Sequence, residues 1–147
     1  MGYTHYWRTS AKAIPDAAVV MLRELLAEAH AAGIVQLEDT TPKPPLVTAT
    51  VIRFNGVGAL GHETFFFDVE DAYRAADGTP FAFCKTNQKP YDAVVMKVLI
   101  VLRHFLGEQI TVTSDGSFDD EWGDVRAEME ERYGITTIVE AKLETAS

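Results

Sequence analysis

Residues 3–8 alternate, with Tyr3, His5 and Trp7 on one side and Thr4, Tyr6 and Arg8 on the other. That period of two predicts a strand with one aromatic face. From Pro15 to Ala32 the period lengthens. Val19, Leu22, Leu26 and Ala29 form an apolar stripe, and Arg23, Glu24 and Glu28 lie away from it. Pro15 suits a first helical position and Gly33 a helix end. The proline-rich segment EDTTPKPPL reads as a connecting loop. Residues 47–54 and 64–69 are rich in Val, Ile, Thr and Phe, the signature of two paired strands joined by NGVGALGHE. DAYRAADGTP reads as a polar loop, followed by a short FAF segment. Residues 90–106 are apolar almost all round, which predicts a central helix closed by Gly107, with Arg103 and His104 in its last turn. ITVTS at 110–114 reads as a strand. Phe118, Trp122, Val125, Met129 and Tyr133 recur at helical spacing behind Ser117, a suitable N-cap. Gly134 ends that helix, and ITTIVE is expected to return to the sheet. The order βαββαβαβ predicts an α+β fold: a single domain over residues 1–147, with a mixed or antiparallel sheet and helices mainly on one face.

Composition narrows the function classes. The 147 residues carry 22 acidic and 13 basic side chains, a formal net charge of -9. Nucleic-acid affinity comes largely from phosphate neutralisation by a basic footprint, so general nucleic-acid binding is not expected. The acidity concentrates in DDEWGDVRAEMEER at 119–132, read as a solvated helix face. Cys84 is the only cysteine, so no internal disulfide can form, which suits a reducing compartment. No apolar run approaches the ~20 residues of a membrane span. The longest, AVVMKVLIVL, is interrupted by Lys97. A soluble, cytoplasmic protein is the expectation, with no membrane partner and homo-oligomer formation left open.

The motifs divide into plain and informative ones. Gly56, Gly58 and Gly61 make G-x-G-x-x-G, but a dinucleotide site needs those glycines to open a helix. Here HETFFFD follows, a strand pattern, so the glycines are read as a hairpin loop able to fold over a ligand. His62 and Glu63 are strand neighbours pointing to opposite faces, and the four histidines are scattered, so neither a metal site nor a cofactor is expected. Cys84 beside Lys85 could form a thiolate, yet its apolar neighbours favour an inert buried thiol. FCKTNQKPYD at 83–92 is the most informative stretch. Pro90 at the first helical position would aim the N–H groups of Tyr91 and Asp92 outward, and Lys85 and Lys89 would add full charge. An anion completes such a corner, with Thr86, Asn87 and Gln88 supplying hydrogen bonds. The competing reading is that Asp92 already neutralises it. Ser114 and Asp115 in TSDGS form a second anion-capable helix start, although an ordinary Asx turn followed by an N-cap is the favoured reading of that stretch alone. Tyr3, His5, Tyr6 and Trp7 offer a surface for stacking a planar ring, although aromatic strands more often pack a core.

Taken together, MGYTHYW, FNG, HETF, FCKT with KPYD, SDG and the Trp122 helix resemble a family of small proteins of unassigned activity encoded by bacteriophages, prophages and some bacteria. The resemblance runs from Gly2 to about Trp122. The lysine segment here reads TNQKPYD, slightly less cationic than the family pattern. The resemblance implies a phage origin and a role in modulating the host. The leading expectation is a non-enzymatic binder of a small phosphorylated, nucleotide-like ligand, sequestering a host defence signal. Its candidate ligand-binding residues are Tyr3, His5, Trp7, Asn55, His62, Glu63, Lys85, Thr86, Lys89, Tyr91, Asp92, Ser114 and Asp115. Two alternatives stand beside it: a phosphoester hydrolase or transferase using His62, Glu63, Asp115 or Lys85, and an inhibitor of a host factor acting through the acidic helix.

Overall fold

The computed structural model describes residues 3–38, 40–69, 82–117 and 120–136. Strand β1 (Thr4–Thr9) leads into helix α1 (Asp16–Ala31). Four short strands follow, β2 (Val35–Gln36), β3 (Leu46–Val47), β4 (Val51–Gly56) and β5 (Phe65–Asp68). Then come β6 (Ala82–Lys85), α2 (Asp92–Leu106), β7 (Ile110–Ser114) and α3 (Gly123–Tyr133). The fold is α+β, and every strand pair among the described residues is antiparallel.

In one sheet β1 lies between β6 and β7, with His5 opposite Cys84 on one side and Ser114 on the other. In the second sheet β2, β3 and β5 all pair with β4. The predicted strand at 47–54 is thus two strands, because Thr48 turns the chain: its Oγ1 accepts from the N–H of Thr50 and Val51. The two-residue strand β2 escaped prediction, being too short to show a period.

Strand alternation and helix position set the core together. Tyr3, His5 and Trp7 face inward with Cys84, Ile110, Val112 and Ser114, all buried. Helix α2 covers this face and is itself buried along most of its length, as its nearly all-round apolarity requires. The Trp7 ring lies 4.9 Å from Phe65, joining the inner faces of the two sheets. Helix α3 docks through Trp122, Val125 and Met129, and its Arg132 pairs with Glu28 of α1. The apolar spacing of α1 located that helix within two residues and that of α3 located its end, but α3 begins at Gly123 rather than directly after Ser117. Ser117 instead caps a preceding turn, accepting from the Asp120 N–H. Ile135 is buried. Phe118, the 71–80 loop, Phe81 and the remainder of ITTIVE from residue 137 lie outside the described residues. No described helix is long and apolar enough to cross a membrane.

Candidate functional site

The sequence motifs meet around the start of α2, and most of them meet inside the protein. His5 sits at the centre, 0% exposed. Its Nε2 lies 2.6 Å from Asp92 Oδ1 and its Nδ1 lies 2.8 Å from Ser114 Oγ. The Ser114 hydroxyl also accepts from Trp122 Nε1–H at 3.1 Å and from the Gly116 N–H at 2.9 Å. A hydroxyl has two acceptor positions and one proton. Both acceptors are filled, so its proton goes to His5 Nδ1, and the imidazole proton lies on Nε2, donated to Asp92. Asp92 Oδ1 receives in addition the Thr86 hydroxyl at 2.6 Å.

Asp–His–Ser is the cast of a nucleophilic relay, but this set cannot act as one. Ser114 is 1% exposed, and its oxygen is saturated by two N–H donors. It has neither access to a substrate nor a lone pair to attack with. The chain is a buried polar network, bordered by the Tyr3 hydroxyl, which has no hydrogen-bond partner among the described residues, and it holds β1, β7, α2 and the approach to α3 in one arrangement. Burial, and after it the Asp92 charge, push the Tyr3 phenol well above its ordinary pKa. Its ring packs so tightly on Gly116 that a Cβ there would lie 2.0 Å from the hydroxyl oxygen.

A second network holds the glycine loop. Asn55 Nδ2 donates to the His62 carbonyl and to Thr64 Oγ1, each at 3.1 Å, and Asn55 Oδ1 accepts from the N–H of Gly56 and His62. Gly56 and Gly61 touch backbone to backbone: a Cβ on Gly56 would meet Gly61 Cα at 2.5 Å. The glycines therefore serve a pinned β4–β5 hairpin loop, in agreement with the hairpin expectation. Glu63 ties that loop to β6 and α2. Its carbonyl accepts from the Tyr91 hydroxyl, and its Oε1 accepts from the Lys85 N–H at 2.7 Å. Burial pushes the Cys84 thiol up to about 12, with the Tyr91 hydrogen bond opposing more weakly. Burial likewise raises Tyr91, reinforced by Cys84.

These contacts correct several expectations. The Tyr91 and Asp92 N–H groups do not face outward; they donate to Leu60 O and Lys89 O. Helix α2 starts two residues beyond Pro90, after a tight turn that takes the Asp92 donor, while the glycine loop takes that of Tyr91. Asp92 does not cap the helix with its side chain; it turns inward to His5 and Thr86. The amides of TSDGS are also engaged, Asp115 N–H with Thr4 O, Gly116 with Ser114 Oγ and Ser117 with Glu121 Oε1. Tyr3, His5, Trp7, Thr86, Tyr91 and Ser114 are buried and offer no stacking or binding surface, and Asn55 is spent on its loop.

What faces solvent is a smaller set. Lys85, His62, Glu63 and Asp115 are exposed and Lys89 is half-buried. Neither lysine ammonium has an ion-pair partner among the described residues. Between the lysines, Thr86 O accepts the Lys89 N–H, and Asn87 and Gln88 have φ of 54° and 56°. This is the pattern of a type I′ turn, and glutamine at such a φ is strained. The turn is rigidly based, because the Thr86 and Asn87 N–H groups both donate to Tyr3 O. Phe83, 50% exposed, was absent from the predicted site, although alternation with buried Cys84 already put it on the outer face. Among the described residues, no group of His, Cys, Asp and Glu could hold a metal ion. Compared with known proteins, the chain matches no family model, no curated protein and no solved structure.

Proposed function

We propose that the protein is a non-enzymatic binder of a small phosphorylated, nucleotide-like ligand, engaged at the Lys85–Lys89 turn. The observation that carries this reading is the strained Gln88, held beside Asn87 in a turn between two lysines without ion-pair partners among the described residues. Strained backbone persists where the surroundings enforce it and concentrates at ligand-binding positions. Here the enforcing elements are Tyr3 O beneath the turn and the Thr86–Asp92 bond behind it. The burial of the Asp92–His5–Ser114 set favours binding over chemistry, because this constellation, with its nucleophilic cast, is closed to substrates. The resemblance to phage-encoded proteins makes a host nucleotide signal a sensible ligand. Calorimetry against a panel of nucleotides and cyclic nucleotide signals tests the reading. Binding that falls at least tenfold in Lys85→Ala/Lys89→Ala supports it. Silence across the panel, or equal binding by the double variant, overturns it.

A further inference from the structure

We infer that the ligand held at the Lys85–Lys89 turn is a nucleoside di- or triphosphate, selected by charge. This rests on the proposed phosphorylated ligand and adds the length of its phosphate chain, which the hydrogen bonding of the turn decides. Phosphate sites that read geometry do so with free backbone N–H groups, in a nest or at a helix N-terminus, or with the planar fork of arginine. This turn offers neither. Lys85 N–H donates to Glu63 Oε1, and the Thr86 and Asn87 N–H groups donate to Tyr3 O. Gln88 N–H donates to Thr86 Oγ1 and Lys89 N–H to Thr86 O. Pro90 has no N–H, and those of Tyr91 and Asp92 are taken by Leu60 O and Lys89 O. From residue 85 to residue 92 every backbone donor is spent inside the protein, and FCKTNQKPYD contains no arginine.

What remains for a phosphate is charge. Lys85 is exposed and Lys89 half-buried, and neither ammonium has an ion-pair partner among the described residues. A lysine ammonium is a compact point charge on a flexible stem and imposes no phosphate geometry. Attraction to such a pair rises with each negative charge the ligand brings within reach. A cyclic monophosphate or a monoester therefore uses the turn poorly, whereas two or three linked phosphates can engage both lysines at once. The Glu63 carboxylate, fixed beside Lys85 by its bond to that residue's N–H, offsets part of the positive charge and raises the requirement. The opposite limit comes from the rest of the chain. Its formal net charge of -9 repels a long polyanion, so a nucleotide with a short phosphate chain is favoured over an oligonucleotide.

The test is calorimetry on the full chain with the cyclic monophosphate, monophosphate, diphosphate and triphosphate of one nucleoside, at low and at near-physiological salt. It is repeated on Lys85→Gln/Lys89→Gln and on Lys85→Arg/Lys89→Arg, with circular dichroism to check that both variants keep the parent fold. The four compounds share base and sugar, so only the phosphate charge varies. Affinity is expected to follow that charge, with the diphosphate at least fivefold tighter than the monophosphate and the cyclic monophosphate weakest. The gap should narrow at least twofold as salt rises, because exposed charges are screened beyond about 8–10 Å. The arginine variant should keep the order, and the glutamine variant should bind all four equally weakly. A monophosphate that binds as tightly as the diphosphate overturns the charge inference and leaves the phosphate reading standing. A gap unchanged by salt, or lost in the arginine variant, also overturns the charge inference. An order that survives in the glutamine variant overturns both, since the lysines then play no part, and so does binding of none of the four.

Discussion

Replacing Ser114 with alanine removes one oxygen atom and disconnects three buried groups. Trp122 Nε1–H and the Gly116 N–H lose their acceptor, and His5 Nδ1 loses its donor. A buried polar group left without a partner costs about 1–3 kcal/mol. Three such groups would set an upper bound near 9 kcal/mol, but the Gly116 turn can shift and the volume lost is small. The expected destabilisation is about 3–5 kcal/mol, a large part of the ~5–15 kcal/mol that holds a typical domain together. At about 2–4 °C per kcal/mol for a chain of this size, the midpoint should fall by roughly 10 °C. Urea denaturation followed by Trp fluorescence measures this, with exposed Thr111→Ala in the same strand as the control, expected within ~0.5 kcal/mol of the parent. A Ser114→Ala/Trp122→Phe cycle should show coupling of about 0.5–3 kcal/mol. A loss below ~1 kcal/mol for Ser114→Ala, indistinguishable from Thr111→Ala, would refute the claim that this hydroxyl saturates a closed network.

The buried thiol of Cys84, pushed up to about 12, should resist iodoacetamide at pH 8 in the native chain and react promptly once denaturant is added; rapid native-state labelling measured by mass spectrometry would contradict its placement. Gln88→Gly should stabilise the protein by about 1 kcal/mol, because it relieves a positive φ of 56° and creates the Asn–Gly pair that a type I′ turn prefers. A calorimetric midpoint that does not rise would show that the turn is unstrained. Hydrogen bonding to Arg132 holds the Glu28 carboxyl below its ordinary value. A depressed carboxylate contributes above its unfolded pKa and loses that contribution as pH falls through the folded value. The stability gap between the parent and Arg132→Ala should therefore be present at pH 7 and close below the carboxylate range, and a gap that widened in acid would reverse the assignment.

Much of the fold was legible because burial imposes a period. The 3.6-residue stripe of α1 and the all-round apolarity of α2 located both helices, and alternation located β1 and β7. The site was legible only as a collection. Tyr3, His5, Tyr91, Asp92, Thr86 and Ser114 all stood out, and they do converge, but on the inside. No pattern in the chain distinguishes a carboxylate that caps its own helix from one that turns to a histidine 87 positions away, since both place an aspartate in the first turn. Likewise the outward amides expected at Tyr91 and Asp92 are taken by Leu60 and Lys89, partners supplied by a loop and a tight turn. Phe83 was passed over although its alternation with Cys84 in β6 already places it on the outer face.

The sequence by itself determined most element types, the α+β class, the hairpin reading of the glycine loop and the burial of Cys84, all of which depend on local periodicity or on a residue's intrinsic chemistry, whereas the pinning of that loop by Asn55 came only with the structure. Tertiary structure alone decided which polar groups are spent on one another and which still face water. That division arises because hydrogen-bond saturation is a property of partners far apart in the chain. Ser114 is closed to chemistry only when His5, Gly116 and Trp122 arrive together. Lys85 and Lys89 remain outside because the turn between them is held from below by the Tyr3 carbonyl, just ahead of β1 and more than eighty residues earlier.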